Sequence, residues 1–213
     1  MVALTFVTLP FFCAAFALAL WQGASFVAAP PSWRKSLVKT GAVAALAAGV
    51  AVVAPAGPAA LILWGLVAGS AGDFALSRPG QAAFLSGMAA FALGHLAYAA
   101  AFFALGTGGP ALYPAVTATA LALCALLCIA PRAGALGWPV RAYIGVIWVM
   151  VIAALRVPDL RLVTGAALFM TSDFLLALEL FVLPEGRTRR LAAFAVWALY
   201  WPAQALIALA ALG

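Results

Sequence analysis

Few side chains in this chain can do chemistry, and most of them stand inside long apolar runs. Asp73, His95, Asp173 and Glu179 are ionisable groups set among Ala, Leu, Phe and Gly, Lys39 lies one turn into an apolar run, and Arg141 opens another. Ser172, Tyr98, Tyr143, Tyr200 and Gln204 accompany them. An ionisable side chain in hydrocarbon costs about 2.5–3.5 kcal/mol on insertion scales, so such groups mark substrate or ion sites and proton relays, or they are tied in pairs. Acids beside a histidine offer general acid–base chemistry. The structural alternative pairs Asp73 or Asp173 with Lys39 or Arg141, and Glu179 reads as readily as a structural charge near the interface. The two aspartates each follow a small residue, in Gly72-Asp73 and Ser172-Asp173. Small neighbours let helices close around a polar group.

Other chemistries are poorly served. A single His95, with Cys13, Cys124 and Cys128 scattered in apolar runs, cannot build a usual zinc site, so no metal and no cofactor is expected. The cysteines read as small packing residues. Gly72-Asp73 approaches the Gly-x-Gly-Asp motif of intramembrane aspartyl proteases, but Ser70 occupies the first glycine position.

The elements that must position these groups follow from composition. The 213 residues are 68% hydrophobic and 8% charged, with a mean hydropathy of +1.19. A soluble domain carries roughly 25% charged residues, so most of this surface faces lipid. A membrane-spanning helix needs about 20 apolar residues. The long Ala- and Leu-rich runs lack the alternation of barrel strands. The expectation is an all-α, polytopic helix bundle forming one transmembrane domain over 1–213, with about eight spans: 3–26, 37–54, 58–76, 81–105, 111–130, 140–155, 160–183 and 191–212. The N-terminus lacks a positive n-region and reads as the first span rather than a signal peptide.

The net charge of +6 reports topology, not nucleic acid. Arg34, Lys35, Lys39, Arg78, Arg132, Arg141, Arg187, Arg189 and Arg190 fall near the loops after odd-numbered spans, and only Arg156 and Arg161 on the other side. The positive-inside rule assigns the rich side to the cytoplasm and both termini to the opposite face, in a bacterial inner membrane. At 1.5 Å per residue, Asp173, His95 and Gln204 lie roughly 18–21 Å into their spans, with Asp73, Lys39 and Tyr143 shallower, so a polar cavity opening toward the cytoplasm is expected. In the fourth span, Phe84, Gly87, Phe91, His95, Tyr98 and Phe102 form one helical stripe, either a packing seam or a cavity wall. Gly65, Asp73-Phe74 and Leu76 correspond to Gly165, Asp173-Phe174 and Leu176 at a shift of 100 residues. That suggests a parallel repeat of four plus four helices.

The segments Gly72-Asp73-Phe74-Ala75-Leu76, Phe84-x-x-Gly87-x-x-x-Phe91-x-x-x-His95-x-x-Tyr98, Gly165-Ala166-Ala167-Leu168-Phe169-x-x-Ser172-Asp173 and Tyr200-x-x-Ala203-Gln204 resemble the YhhN/TMEM86 family in order and spacing. Tyr143 and Met150 fit its sixth-span pattern; Lys39 fits too, although Thr40 stands where many members place proline. The resemblance implies a lysoplasmalogenase: hydrolysis of the vinyl ether bond of a lysophospholipid to a fatty aldehyde and glycerophosphocholine or glycerophosphoethanolamine. Such bonds break by protonation of the β-carbon to an oxocarbenium ion that water captures. Two carboxylates meet a similar ion in glycosidases. The resemblance thus implies catalysis by Asp73 and Asp173 with His95 as donor or relay. Lys39, Tyr98, Arg141, Tyr143, Ser172, Glu179, Tyr200 and Gln204 would then bind substrate, membrane lipids being the other partners. The competing classes are a small-solute or lipid transporter using the same buried cavity, and a lipid-binding scaffold without chemistry.

Overall fold

A computed structural model describes residues 2–53 and 55–213, without side-chain detail for 2–5. Eight α-helices follow in chain order: α1 Val2–Ser25, α2 Trp33–Ala51, α3 Pro58–Leu76, α4 Gln81–Leu105, α5 Leu112–Cys124, α6 Gly137–Ala154, α7 Leu160–Phe181 and α8 Arg187–Ala210. No strand occurs among the described residues. Local sequence sets the ends. Ser32 caps α2, its hydroxyl accepting from the Lys35 N–H at 3.2 Å. Gly57 at φ +57° turns the chain so that Pro58 can open α3 with its φ already helical. Asp159 caps α7 by accepting from the Arg161 N–H at 2.8 Å.

The fifth segment departs from expectation. Its α-helix stops at Cys124, and the chain continues as a π turn over Ala125–Ile129 and a 3-10 segment over Ala130–Leu136. Pro131 supplies the reason: it has no N–H to give to the carbonyl four residues back, and its ring crowds that carbonyl. Gly134, at φ +56°, then reverses the chain into α6.

Six stretches are long and apolar enough to cross a membrane: 6–25, 58–76, 81–105, 112–154, 160–181 and 187–210. The fourth of these contains both α5 and α6. α2, with Arg34, Lys35 and Lys39 in it, is not among them. The distribution of side chains is that of a membrane protein. Phe6, Trp64, Leu93, Leu112, Val116, Leu127, Trp138 and Leu160 are exposed on the outside, while Gln22, Asp73, His95, Ser172 and Gln204 are buried. An apolar exterior around polar interior groups suits lipid, not water, and the chain is an integral, multi-pass membrane protein. The three cysteines lie on this exterior and are free, so they do not pack inside as expected.

The tightest seams run between α3 and α4 and between α7 and α8. A Cβ added at Gly94 would stand 3.1 Å from the Gly65 carbonyl oxygen, one at Gly72 2.6 Å from the Phe91 ring, one at Gly87 2.7 Å from Leu76, and one at Gly165 2.8 Å from Ile207. Without side chains at these points, backbones approach closely and dispersion contacts hold the helices together where no water is expelled.

Candidate active site

A cavity of about 310 Å³ is lined by residues from all eight helices. Its polar lining includes Gln22, Lys35, Lys39, Asp73, Tyr143, Ser172, Asp173, Glu179 and Tyr200. Phe84, Met88, Leu121, Ala122, Ala125 and Phe181 are among the apolar groups on its walls. It is therefore amphipathic, with a cluster of charges and hydroxyls in one part and hydrocarbon in another. Three carboxylates line it, Asp73 on α3 and Asp173 and Glu179 on α7, and the two aspartates sit in different nests.

Asp73, on α3, is fully buried. Lys39 reaches from α2 to within 3.0 Å of Oδ1, as an ion pair that is off the angle of an aligned hydrogen bond. The Tyr200 hydroxyl, from α8, donates to Oδ2 at 2.6 Å. Behind Tyr200 the Gln204 amide donates to the Tyr200 oxygen at 3.2 Å, and the Tyr98 hydroxyl donates to Gln204 Oε1 at 2.6 Å. A single hydrogen-bonded chain thus runs from α4 through α8 to the carboxylate on α3. Tyr200 and Gln204 can share this line because residues four apart lie on one helical face.

Asp173, on α7, retains 10% side-chain exposure. Its Oδ2 accepts from the Tyr143 hydroxyl at 2.9 Å and lies 3.2 Å from His95 Nε2, which is itself 3.2 Å from the Tyr143 oxygen. His95 Nδ1 is buried without a partner among the described residues. Placing the hydrogen on Nε2 gives the carboxylate a donor; placing it on Nδ1 would strand a buried N–H, which is the costlier arrangement. Phe169 stands edge-on to both the His95 ring, at 4.5 Å, and the Tyr200 ring, at 5.3 Å, so it wedges the two nests apart.

The expected residues separate into three groups. Lys39, Asp73, Tyr143, Ser172, Asp173, Glu179 and Tyr200 line the cavity. His95, Tyr98 and Gln204 stand behind that lining and act on it through hydrogen bonds. Arg141 is brought to neither nest: its guanidinium lies over the Trp138 ring, 5.3 Å from the centroid, and does not line the cavity. Ser172 spends its hydroxyl on the Val196 carbonyl at 3.0 Å, joining α7 to α8. Sequence reading missed Gln22, Lys35 and Trp197, all on the cavity. Lys35 reads in sequence only as a loop charge, yet its ammonium folds back onto the carbonyls of Ala29 at 2.7 Å and Val27 at 3.3 Å. Among the described residues no three His, Cys, Asp or Glu side chains gather as metal ligands would.

The chain is 33% identical over 202 residues to a Bos taurus protein named lysoplasmalogenase TMEM86A, covering 85% of this chain and 79% of the relative. It is 32% identical over 200 residues to the Homo sapiens protein of the same name, with the same coverage. No solved structure matches it. Residues 34–211, spanning every helix that bears a carboxylate or one of its partners, match the YhhN family, and the chain belongs to that family.

Proposed function

We propose that this protein is a membrane hydrolase of the lysoplasmalogenase type, cleaving the vinyl ether bond of a lysophospholipid. The observation that carries the reading is the pair of carboxylates, from α3 and α7, on one amphipathic cavity. A single-chain lipid has the matching form: a charged head, a reactive enol ether at the junction, and a hydrocarbon tail. The kinship with proteins named lysoplasmalogenase supports the same choice.

The two nests divide the work. Asp173 keeps some open surface, and its Oδ2 is already engaged by Tyr143 and His95, which leaves Oδ1 to carry a proton. It protonates the β-carbon of the alkenyl chain, with the C=C electron pair forming the new C–H bond and the ether oxygen sharing the resulting cation. Asp73, tied to Lys39 and Tyr200, supplies a fixed charge that steadies the oxocarbenium ion. Water adds to the α-carbon and returns its proton to Asp173. The hemiacetal then collapses to a fatty aldehyde and the glycerophospho alcohol, so the net change is the addition of one water. Lys39 and Lys35 face the phosphate, and the tail lies along Phe84, Met88, Leu121 and Ala125. The basic end of the bundle is cytoplasmic, and both termini lie outside.

The test is mass spectrometry of detergent-purified protein, with no gradient, incubated with lysoplasmalogen, lysophospholipid and diacyl lipid. Aldehyde should form from the vinyl ether alone. In heavy water, one deuterium should appear on the carbon next to the aldehyde. Fatty acid release, or no turnover of any of the three, overturns the reading.

A further inference from the structure

Gln22 is a polar side chain on the cavity that neither nest uses. It lies on α1, ahead of the family-matched residues 34–211, and is 2% exposed. Its Oε1 is buried without a hydrogen-bond partner among the described residues, although the side chain lines the cavity. Buried amides are almost always paired, and an orphan costs the desolvation of the group. The position is held firmly. The Trp197 indole N–H donates to the Ala19 carbonyl at 3.0 Å, one turn earlier on α1, and a Cβ added at Gly23 would stand 3.5 Å from the Trp197 ring. Backbone bonds from Phe26 and Val27 to the Gln22 carbonyl close the helix end, and Lys35 caps that turn from α2. The α1 backbone at Gln22 is therefore held against α8 and the start of α2, while its amide oxygen, on the same cavity as Lys35, Lys39 and Trp197, has no partner among the described residues.

We propose that Gln22 is a substrate-binding residue that recognises a free hydroxyl on the glycerol of the ligand. The inference rests on the single-chain lipid reading above. A carbonyl oxygen needs a donor, and the amide N–H beside it offers a donor in turn. A hydroxyl both donates and accepts, so it matches a primary amide whichever way that amide is turned. A phosphate oxygen only accepts and an ammonium only donates, so each leaves half of the amide unmet. A single-chain glycerophospholipid carries such a hydroxyl at the sn-2 carbon, and a two-chain lipid carries an ester there. Gln22 would thus select one-chain substrates through hydrogen bonding, in addition to any limit set by cavity size. Sites built to bond a hydroxyl reject analogues that lack it more strongly than apolar pockets reject an extra methylene.

The test uses the full-length protein in detergent and uncleavable 1-O-alkyl lysophospholipids, with either a free or an O-methylated sn-2 oxygen, each as choline and ethanolamine head-group forms. Wild type should bind the free hydroxyl about tenfold more tightly, as one net hydrogen bond of ordinary strength implies, and equally so with either head group. Gln22→Met, close in size, should erase that preference and leave affinity for the methylated ligand unchanged. Its unliganded melting temperature should hold or rise, because no protein bond is lost. Wild type that binds both ligands alike overturns the inference. So does a Gln22→Met protein that weakens for both ligands equally, or one that melts lower or fails to fold, since each makes the amide structural. A preference confined to ethanolamine forms reassigns the donor to the ammonium and also overturns it. Selective binding of the hydroxyl form by a protein that releases no aldehyde from lysoplasmalogen leaves the Gln22 site standing and removes the hydrolase reading.

Discussion

The nests around Asp73 and Asp173 occupy corresponding places, each on the first helix of a tightly packed pair, yet they are built on different physics. Asp73 is sealed from solvent and faces a cation, Lys39, whose own side chain is 21% exposed. Asp173 is slightly open and faces an imidazole and a phenol. A buried charge with an opposite charge beside it is fixed in place, because losing either partner strands the other. A carboxylate held by a histidine and a tyrosine is bound through hydrogen-bonding rings rather than by a lysine. The difference teaches that the internal likeness of Asp73-Phe74 and Asp173-Phe174 extends to position and not to partners.

The sharpest way to break that contrast is to replace each carboxylate by its amide. Asp73→Asn and Asp173→Asn should each cut aldehyde release by about 10²–10⁴-fold or more, since an amide neither delivers a carboxyl proton nor carries charge. The double variant should be little worse than either single one, as for groups acting as a unit. Near wild-type turnover per mole of monodisperse protein in either variant would sink the two-carboxylate mechanism. His95→Gln should fall between these and wild type, as it acts through Asp173.

Stability should separate the nests next. Lys39→Met leaves Asp73 buried without its cation and should cost about 3 kcal/mol, the lower part of the range for broken buried pairs because Lys39 is partly exposed. Adding Asp73→Asn should restore most of the melting temperature but no activity. If Lys39→Met melts like wild type, the ion pair is not what holds Asp73. At the other nest, Tyr143→Phe should cost less, about 1 kcal/mol for one hydrogen bond, and should not be rescued by Asp173→Asn.

The residues just before the aspartates give a smaller contrast. Gly72→Ala would drive a methyl to 2.6 Å from Phe91, whose ring packs on Tyr200. Overpacking should cost about 1–3 kcal/mol and lower turnover by disturbing the Tyr200 bond to Asp73. Ser172→Ala only removes the bond to Val196 and should cost about 1 kcal/mol with turnover retained. Thermal melts and initial rates on the two variants decide whether the seams are unequal.

Asp159 offers the mildest comparison, as an aspartate outside the membrane-spanning segments and away from the cavity. Its hydrogen bonds with the Arg161 side chain hold its carboxyl below the usual carboxylate range. A depressed folded value means that its stabilising effect is present above the ordinary carboxylate pKa and fades as pH falls through the folded one. Asp159→Ala should cost about 1 kcal/mol through the lost helix cap, at neutral pH and not in strong acid, with turnover unchanged. A melt difference that persists undiminished at low pH would exclude that titration.

Much of this was legible in the chain. Helix bounds for α3 and α4 follow directly from Gly-Pro and Pro-Gly turns on either side of apolar runs. Asp73, His95 and Asp173 announced themselves because ionisable groups are costly in hydrocarbon. Arg141 has in sequence the same cost and the same charge as a ligand-binding group, and only packing shows that it turns onto Trp138. Gln22 and Lys35 escaped because an amide near a helix end, or a lysine near a loop, is ordinary in sequence.

What the sequence determined by itself is what local energetics impose: helices, because lipid forbids unpaired backbone groups; their ends, through glycine, proline and capping side chains; and the presence of buried charges that need partners. What only the tertiary structure decided is which partner each charge received. Lys39 meets Asp73 across α2 and α3, His95 meets Asp173 across α4 and α7, and Tyr98 reaches Asp73 only through Gln204 and Tyr200. Those pairings join residues far apart in the chain. They depend on how closely glycine seams allow helices to approach and on how each helix is turned, and no local pattern carries that information.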